Sequence, residues 1–375
     1  MNLKKTILAA VSLAALMAAP AKAAEYTVLV LQSLTGPAAF IGTGVKDGMV
    51  LAAEEINAKK ELGDGNSLKV VVADDASDRT QTLSLITRQA SDPSVLAVLG
   101  PTSGSVALAG ANIANELKIP LITTTNIMDV LKNGPWSFIL TQPASVTIPY
   151  IGKYTVDSLK VKNCAIIGLK DNESYVTLQK MYEDYLVANG GKATSNEGIK
   201  VTDSDFSAIA TKLADSKQDC IFVSAPAPQA ANIITQLRQG GVDPKTPILG
   251  HSSLASPEFI SKGGKAVEGV YLIGDWLPGG ADDFGKAFDA AFKAKHNAPA
   301  DNWSAVGYGG MRVIAAAIKA AGPNPTRDGV RDALTKVKDV KVVVGQGLYS
   351  FDAERIPRPG MNVLMVKDGK FVLAK

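Results

Sequence analysis

The 375-residue chain has only two cysteines and two histidines. That supply is too small for a Cys/His zinc centre, and far too small for a scaffold held together by disulfides. Beyond the first residues no apolar run approaches the roughly 20 residues of a membrane-spanning helix. An excess of charge of one sign is missing as well. The 39 Lys and Arg stand against 36 Asp and Glu, and three of the bases lie in one N-terminal segment. Residues 1–23 read MNLKKTILAAVSLAALMAAPAKA, with Lys4 and Lys5 ahead of an apolar run and Ala21-Lys22-Ala23 at its end. This is the pattern of a secretory signal peptide with cleavage near Ala23. No cysteine follows that point, so a lipid anchor there is not implied. Without Lys4, Lys5 and Lys22 the chain carries 36 bases and 36 acids. A neutral protein has no bulk electrostatic reason to bind nucleic acid or anionic lipid. Export with few cysteines points to a bacterial periplasm-like compartment.

What remains is roughly 350 residues of alternating β-branched runs and helical patterns, long enough for two domains. Strands are expected at Tyr26–Leu31, Leu68–Ala73, Val95–Leu99 and Pro120–Thr124, separated by helices over Gly44–Asn57, Thr80–Ala90 and Ser105–Glu116. A second series follows. Its strands are Cys164–Leu169, Ala193–Val201, Cys220–Ser224, Pro247–Gly250 and Val270–Ile273, and its helices are Tyr175–Asn189, Phe206–Asp215 and Gln229–Gly240. A long helix is expected over Ser304–Ala321, then a β-rich tail at Val342–Val344, Met361–Val366 and Phe371–Leu373. The fold class is α/β: two Rossmann-like lobes with parallel-rich sheets. No low-complexity tether separates them, so short strand-like crossings that can hinge are expected between the lobes.

Ligands of open α/β sheets bind beyond the carboxyl ends of the strands. Gly100-Pro101-Thr102-Ser103-Gly104-Ser105 joins such an end to a helix N-terminus, whose free N–H groups and dipole suit a carboxylate or phosphate. Ser103 and Ser105 add hydroxyls there, or Ser103 simply caps the helix. Thr123 and Thr125 close the next strand, where β-propensity and turn chemistry are the competing explanation. Gly36-Pro37-Ala38-Ala39-Phe40-Ile41-Gly42 reads as a loop with an apolar tip, lacking both the Walker lysine and the dinucleotide glycine spacing. No cofactor is implied. Phe40 or Ile41 would wall an apolar ligand or cover the core. His251 and Ser252 end a strand of the second series, and Trp276 and Trp303 stand at places where an aromatic ring can stack on a ligand or pack in a core. With no nucleophile elbow and no second histidine beside the first, a hydrolase has little support. Cys164 and Cys220 begin strands that are neighbours in the doubly wound order 2-1-3-4-5. A disulfide and two buried thiols both remain open, because a bridge across paired parallel strands carries strain.

Taken in order, LTGPAAFIG, GMVLAAEEINAKK, VLAVLGPTSGSVALAGANIANELKIPLITTT, KDNESYVTLQ, PILGHSSLASPEF and YGGMRVIAAAIKAAG resemble the periplasmic substrate-binding proteins of ABC transporters, in the branched-chain amino acid (leucine/isoleucine/valine-binding-like) class. The resemblance spans nearly the whole mature chain. It implies a type I periplasmic binding protein with three hinge crossings, near Pro143, Asp275 and Ser350. The N-terminal lobe would be 24–143 with 276–350, and the C-terminal lobe 144–275 with 351–375. It implies a monomer that clamps a small molecule without chemistry and delivers it to permease and ATPase subunits. A sensory binding protein docking on a receptor is the reading from another class.

The family's carboxylate-binding serine falls on Gly104, flanked by Ser103 and Ser105. Its next ligand segment falls on Thr123 to Ile127, its first-loop aromatic on Phe40 or Ile41, its second-lobe tyrosine on Tyr175, and its late aromatic on Trp303. One place departs from the pattern. Where amino acid binders of this family hold the ligand's ammonium with an acid, this chain has His251-Ser252-Ser253. A buried ammonium without a carboxylate costs about 3–5 kcal/mol. The departure favours a carboxylate without an α-amino group, such as benzoate or hydroxybenzoate, with His251 or Ser252 bonding a ring hydroxyl. A branched-chain amino acid or amide ligand would need another acid, for which Glu173 and Asp275 are the candidates.

Overall fold

The computed structural model describes residues 23–36, 38–102 and 104–374, with the side chains of Phe40 and Ser105 left out. The expected signal peptide and cleavage site therefore lie outside the described residues, except for Ala23 itself. Among the described residues no helix is long and apolar enough to cross a membrane.

Five strands, β1 (Glu25–Gln32), β2 (Ser67–Asp74), β3 (Val95–Leu99), β4 (Leu121–Thr123) and β5 (Ser137–Ile139), form one parallel sheet in the order β2-β1-β3-β4-β5. Helices α1 (Ala39–Ala58), α2 (Arg79–Ala90) and α3 (Gly104–Glu116) connect its first four strands. β1 and β3 are apolar on both faces, as strands covered by helices on both sides must be. Two buried clusters, one built on Val28 and Val30 and the other on Leu29 and Leu31, occupy the two faces.

The same order recurs in the second sheet. β6 (Asn163–Leu169), β7 (Lys192–Ile199), β8 (Cys220–Ser224), β9 (Ile248–Gly250) and β10 (Tyr271–Gly274) run parallel as β7-β6-β8-β9-β10. α4 (Ala144–Lys153) leads into it, and α5 (Glu173–Ala188), α6 (Ser207–Asp215), α7 (Ala227–Gln239) and α8 (Pro257–Gly263) connect its strands. α9 (Asp283–His296), α10 (Asn302–Ala320) and α11 (Arg327–Leu334) return to the first sheet, contributing Phe288, Met311 and Val330 to its core. A short hairpin, β11 (Val340–Lys341) with β12 (Leu348–Tyr349), follows. Antiparallel β13 (Asn362–Lys367) and β14 (Lys370–Leu373) then extend the second sheet beyond β10.

Two local expectations change, and helices appear where no range was given. The Gly36–Gly42 segment is not all loop: α1 starts at Ala39, so Phe40 and Ile41 sit in its first turn. Val342–Val344 is not a strand; Val342 and Val344 are core side chains in the turn between β11 and β12. Two helices, α9 and α11, occupy stretches to which the sequence reading gave no element range. α4 carries Pro149 inside it and continues into a π-helical turn, Tyr154–Ser158.

The chain passes from the first sheet to the second after β5, back after β10, and to the second again before β13. Residues just past Ser350 stay with the first sheet. Phe351 packs in the first core, and Arg355 donates to the carbonyls of Leu131, Gly134 and Ser137 near β5. A guanidinium tied to three carbonyls holds 351–357 beside the first sheet.

Candidate functional site

Gln32, at the end of β1, ties together the carboxyl end of the first sheet. It is fully buried. Its Nε2 donates to the Leu99 carbonyl at 3.1 Å and to Thr124 Oγ1 at 3.2 Å, and its Oε1 accepts from Thr102 Oγ1. One amide therefore bonds the ends of β1, β3 and β4 together and fixes the loop leading to α3. Sequence reading missed it, although a lone polar residue closing the apolar run YTVLVLQ was the available signal.

The hydroxyls of the next strand divide between roles. Thr123, fully buried, donates through Oγ1 to the Phe138 carbonyl at 3.3 Å and so serves the β4–β5 pairing. Thr124 belongs to the Gln32 knot. Thr125 Oγ1 accepts from Ile127 N at 3.3 Å and keeps its proton free to donate. Gly104 opens α3, and Ile127 closes over it: a Cβ there would lie 2.2 Å from Ile127 Cδ1. Ile127 fills the room that a serine side chain would need, leaving the helix N–H groups as the polar feature at Gly104. Ser103 lies outside the described residues.

The late helix reaches the same edge because glycines let two backbones meet. A Cβ on Gly48 would lie 1.9 Å from the Ser304 carbonyl oxygen, and one on Gly307 would lie 2.0 Å from that of Val45. α1 and α10 are thereby drawn close, and Trp303 comes beside Gly44 in the turn after Ile41. Ile41 and Trp303 are half-buried and rest on the first core. Trp276 does not join them. It is 2% exposed and packs edge-on against Phe288, with ring centroids 5.2 Å apart.

In the second lobe, Asn172 caps α5 and orients Tyr175, whose hydroxyl donates to Ser253 Oγ at 3.3 Å. Ser224 Oγ donates to the Tyr175 carbonyl at 3.3 Å, so the ends of β6, β8 and β9 converge here. Burial raises the Tyr175 phenol despite its bond to Ser253. His251 lies beneath this layer, 1% exposed, with its ring 5.4 Å from that of Tyr175. Its Nδ1 accepts from Ser253 N at 3.3 Å, which assigns Nε2–H as donor to Ser224 Oγ at 3.3 Å. Both ring nitrogens have partners here, Ser253 N and Ser224 Oγ, so His251 holds these two segments together. Ser252 is half-exposed beside it.

Burial pushes His251 down to about 3, against about 6.5 when unfolded. Between those values the unfolded chain holds the additional proton. Stability from this residue is therefore complete above pH 6.5 and is lost as pH falls, by about 1.4 kcal/mol per unit. The urea midpoint should fall between pH 7 and pH 5, and His251→Asn should remove this part of the slope. An identical slope in the variant would show that His251 titrates normally.

Of the two candidate acids, Glu173 is exposed in the first turn of α5. Asp275 follows β10 where the second crossing begins and is half-buried. Its carbonyl accepts from Gly345 N at 2.6 Å and its N–H donates to Asn302 Oδ1 at 3.1 Å.

Cys164 and Cys220 are bonded, with Cα atoms 4.5 Å apart at matched register on β6 and β8. Of the two alternatives, the structure holds the bridge.

Two α/β lobes that share one strand order and face each other across hinge crossings define the class. The chain belongs to the periplasmic binding protein family, whose model matches residues 25–370. Its fold is that of the type I members. It is 28% identical to the Leu/Ile/Val-binding protein BraC3 of Rhizobium johnstonii, over 98% of this chain and 99% of that one. It superposes with a TM-score of 0.77 on the branched-chain amino acid transporter substrate binding protein LivJ of Streptococcus pneumoniae, in complex with isoleucine, at 26% identity over 93% of this chain and 98% of that one. A solute binding protein from R. palustris in complex with benzoate shares the fold at 19% identity and a TM-score of 0.76, covering 93% of this chain and 95% of that one.

Proposed function

We propose that the protein is the periplasmic solute-binding component of an ABC importer, and that its ligand is a small carboxylate without an α-amino group, with benzoate or hydroxybenzoate the leading class. The ligand would be clamped between a lobe of 24–143 with 276–357 and a lobe of 144–275 with 361–374. It would then pass unchanged to permease and ATPase subunits. The carrying observation is at the ends of β8 and β9. Ser224-Ala225-Pro226 and His251-Ser252-Ser253 offer hydroxyls and a histidine held neutral, with no acid for an ammonium. On the opposite lobe the N–H groups at Gly104 and the Thr125 hydroxyl suit a carboxylate, and Ile41, Trp303 and Tyr175 suit an apolar ring. Closure would exclude water and strengthen these contacts.

A branched-chain amino acid is the second reading, favoured by the names of the relatives and by Asp275, an acid with no salt-bridge partner among the described residues. Titration calorimetry of the mature protein separates the two. Benzoate or 4-hydroxybenzoate should bind with a Kd of about 10 µM or tighter, the range set by about 7 kcal/mol or more of binding free energy, while isoleucine and leucine give no heat. Isoleucine binding with silent benzoates would reverse the assignment.

A further inference from the structure

The hinge carries an acid that the proposed carboxylate site does not use. Asp275 leaves the carboxyl end of β10 at the second crossing, and its backbone is fixed on several sides. The Gly345 N–H, ahead of the third crossing, donates to its carbonyl at 2.6 Å, and Asn362 Nδ2 on β13 approaches the same oxygen at 3.5 Å. Its side chain is served poorly by comparison: Asn302 Nδ2 stands 3.4 Å from Oδ2.

No basic side chain holds the Asp275 carboxyl among the described residues. From α10 it meets the Asn302 amide, next to Asp301, whose carboxylate is occupied capping the helix. On β12 the Tyr349 phenol, raised by burial and by the charge of Asp275, donates to the Leu140 carbonyl. At the end of β9 His251 is neutral. Arg358, on the third crossing, is committed to Asp352 at 2.7 Å. Among the described residues no cation compensates this carboxyl, which stands at the second passage between the sheets.

We propose that Asp275 sets the charge the cleft accepts: an anionic ligand closes the lobes with a proton taken up on Asp275, so that binding strengthens as the pH falls. The inference rests on the carboxylate reading above. Desolvation already raises this carboxyl to about 6 in the unliganded protein. At an effective dielectric of about 20, an anion on the order of 10 Å from a carboxyl would raise its proton affinity roughly tenfold more. The sign follows from linkage. The liganded state holds more protons than the free state around neutral pH, so lowering the pH favours binding.

The test is calorimetry of the wild-type protein with benzoate, which stays ionised at pH 5.5 and above. Affinity should be about fivefold tighter at pH 5.5 than at pH 8. Titrations at pH 6.5 in two buffers of different ionisation enthalpy should show net proton uptake. Asp275→Asn, which mimics the protonated acid, should bind benzoate as tightly at pH 8 as the wild type does at pH 5.5. Benzoate binding with no proton uptake and no pH dependence overturns this inference alone, and the wild-type titrations are enough to show it even if the variant fails to fold. Silence of benzoate at every pH overturns the ligand reading instead. Isoleucine binding that weakens as the pH falls overturns both, since Asp275 would then pair with an ammonium.

Discussion

Gly100→Ala is expected to lower the melting temperature by about 5 °C or more and to weaken ligand binding severely in whatever protein still folds. Gly100 follows β3 with φ +124°, a conformation that L side chains rarely adopt. A Cβ there would lie 1.6 Å from the Leu31 carbonyl oxygen and 2.7 Å from its carbon. These are backbone atoms of the neighbouring strand, so no rotamer change relieves the clash. Either β1 and β3 part or the loop moves. The added Cβ would also stand 2.9 Å from Gln32 Nε2, the atom that links β1 to β3 and β4. Strain and lost bonds together cost about 3 kcal/mol or more. The loop that moves is the one leading to α3 and its N–H groups, so affinity falls with stability. Gly369→Ala is the control. It too has positive φ, +67°, but it stands in the β13–β14 turn with open space where its Cβ would go. It should cost only about 1 kcal/mol and leave affinity unchanged. Equal melting temperatures for the two variants would defeat the argument from the Leu31 contact.

The same segment shows what could be read in the chain and what could not. The strand Val95–Leu99 and the helix after it were legible because a short β-branched run and a helical period are local signals. The repeated order 2-1-3-4-5 follows from the alternation of such signals, and it placed Cys164 beside Cys220. The state of that bridge was not legible, since pairing says nothing about bonding. Nor was the division of labour among polar residues at the strand ends. Thr123, Thr124 and Thr125 are identical in type and adjacent, yet one serves β5, one binds Gln32 and one keeps a free proton. His251 looked like a ligand donor and is a buried, neutral spacer, because Ser224 and Ser253 come to it from distant parts of the chain. Of the two readings open for Trp276, stacking on a ligand and packing in a core, the structure holds the second. Its partner Phe288 lies on α9, a helix to which the sequence reading gave no range.

Removing the Cys164–Cys220 bridge should destabilise the second lobe strongly while leaving affinity within about twofold. The two cysteines are 56 residues apart. In the chain-entropy account, freeing a loop of that length gives the unfolded state about 4 kcal/mol. That is a large share of the roughly 5–15 kcal/mol that holds a domain folded. The bridge stands at the amino ends of β6 and β8, whereas Tyr175, Ser224 and Ser252 stand beyond the carboxyl ends. The loss should therefore reach the stability of the lobe and not the geometry of its cleft. Both sulfurs are buried beside Tyr182, whose ring stacks on Phe222 at 3.9 Å and whose hydroxyl lies 3.6 Å from Cys164 Sγ. A reductant should reach them only when the lobe opens, so brief treatment of the native protein should change little. Reduction in denaturant, followed by refolding with the thiols kept reduced, should lower the urea midpoint of the second lobe by an amount equivalent to about 3–4 kcal/mol. A Cys164→Ala, Cys220→Ala variant should match it, with a small further loss from the volume removed. An unchanged midpoint would show that the unfolded chain gains little freedom from the open loop. A Kd that rises with the loss of the bridge would show that strain at the amino ends of these strands is transmitted along β6 and β8 to the ligand.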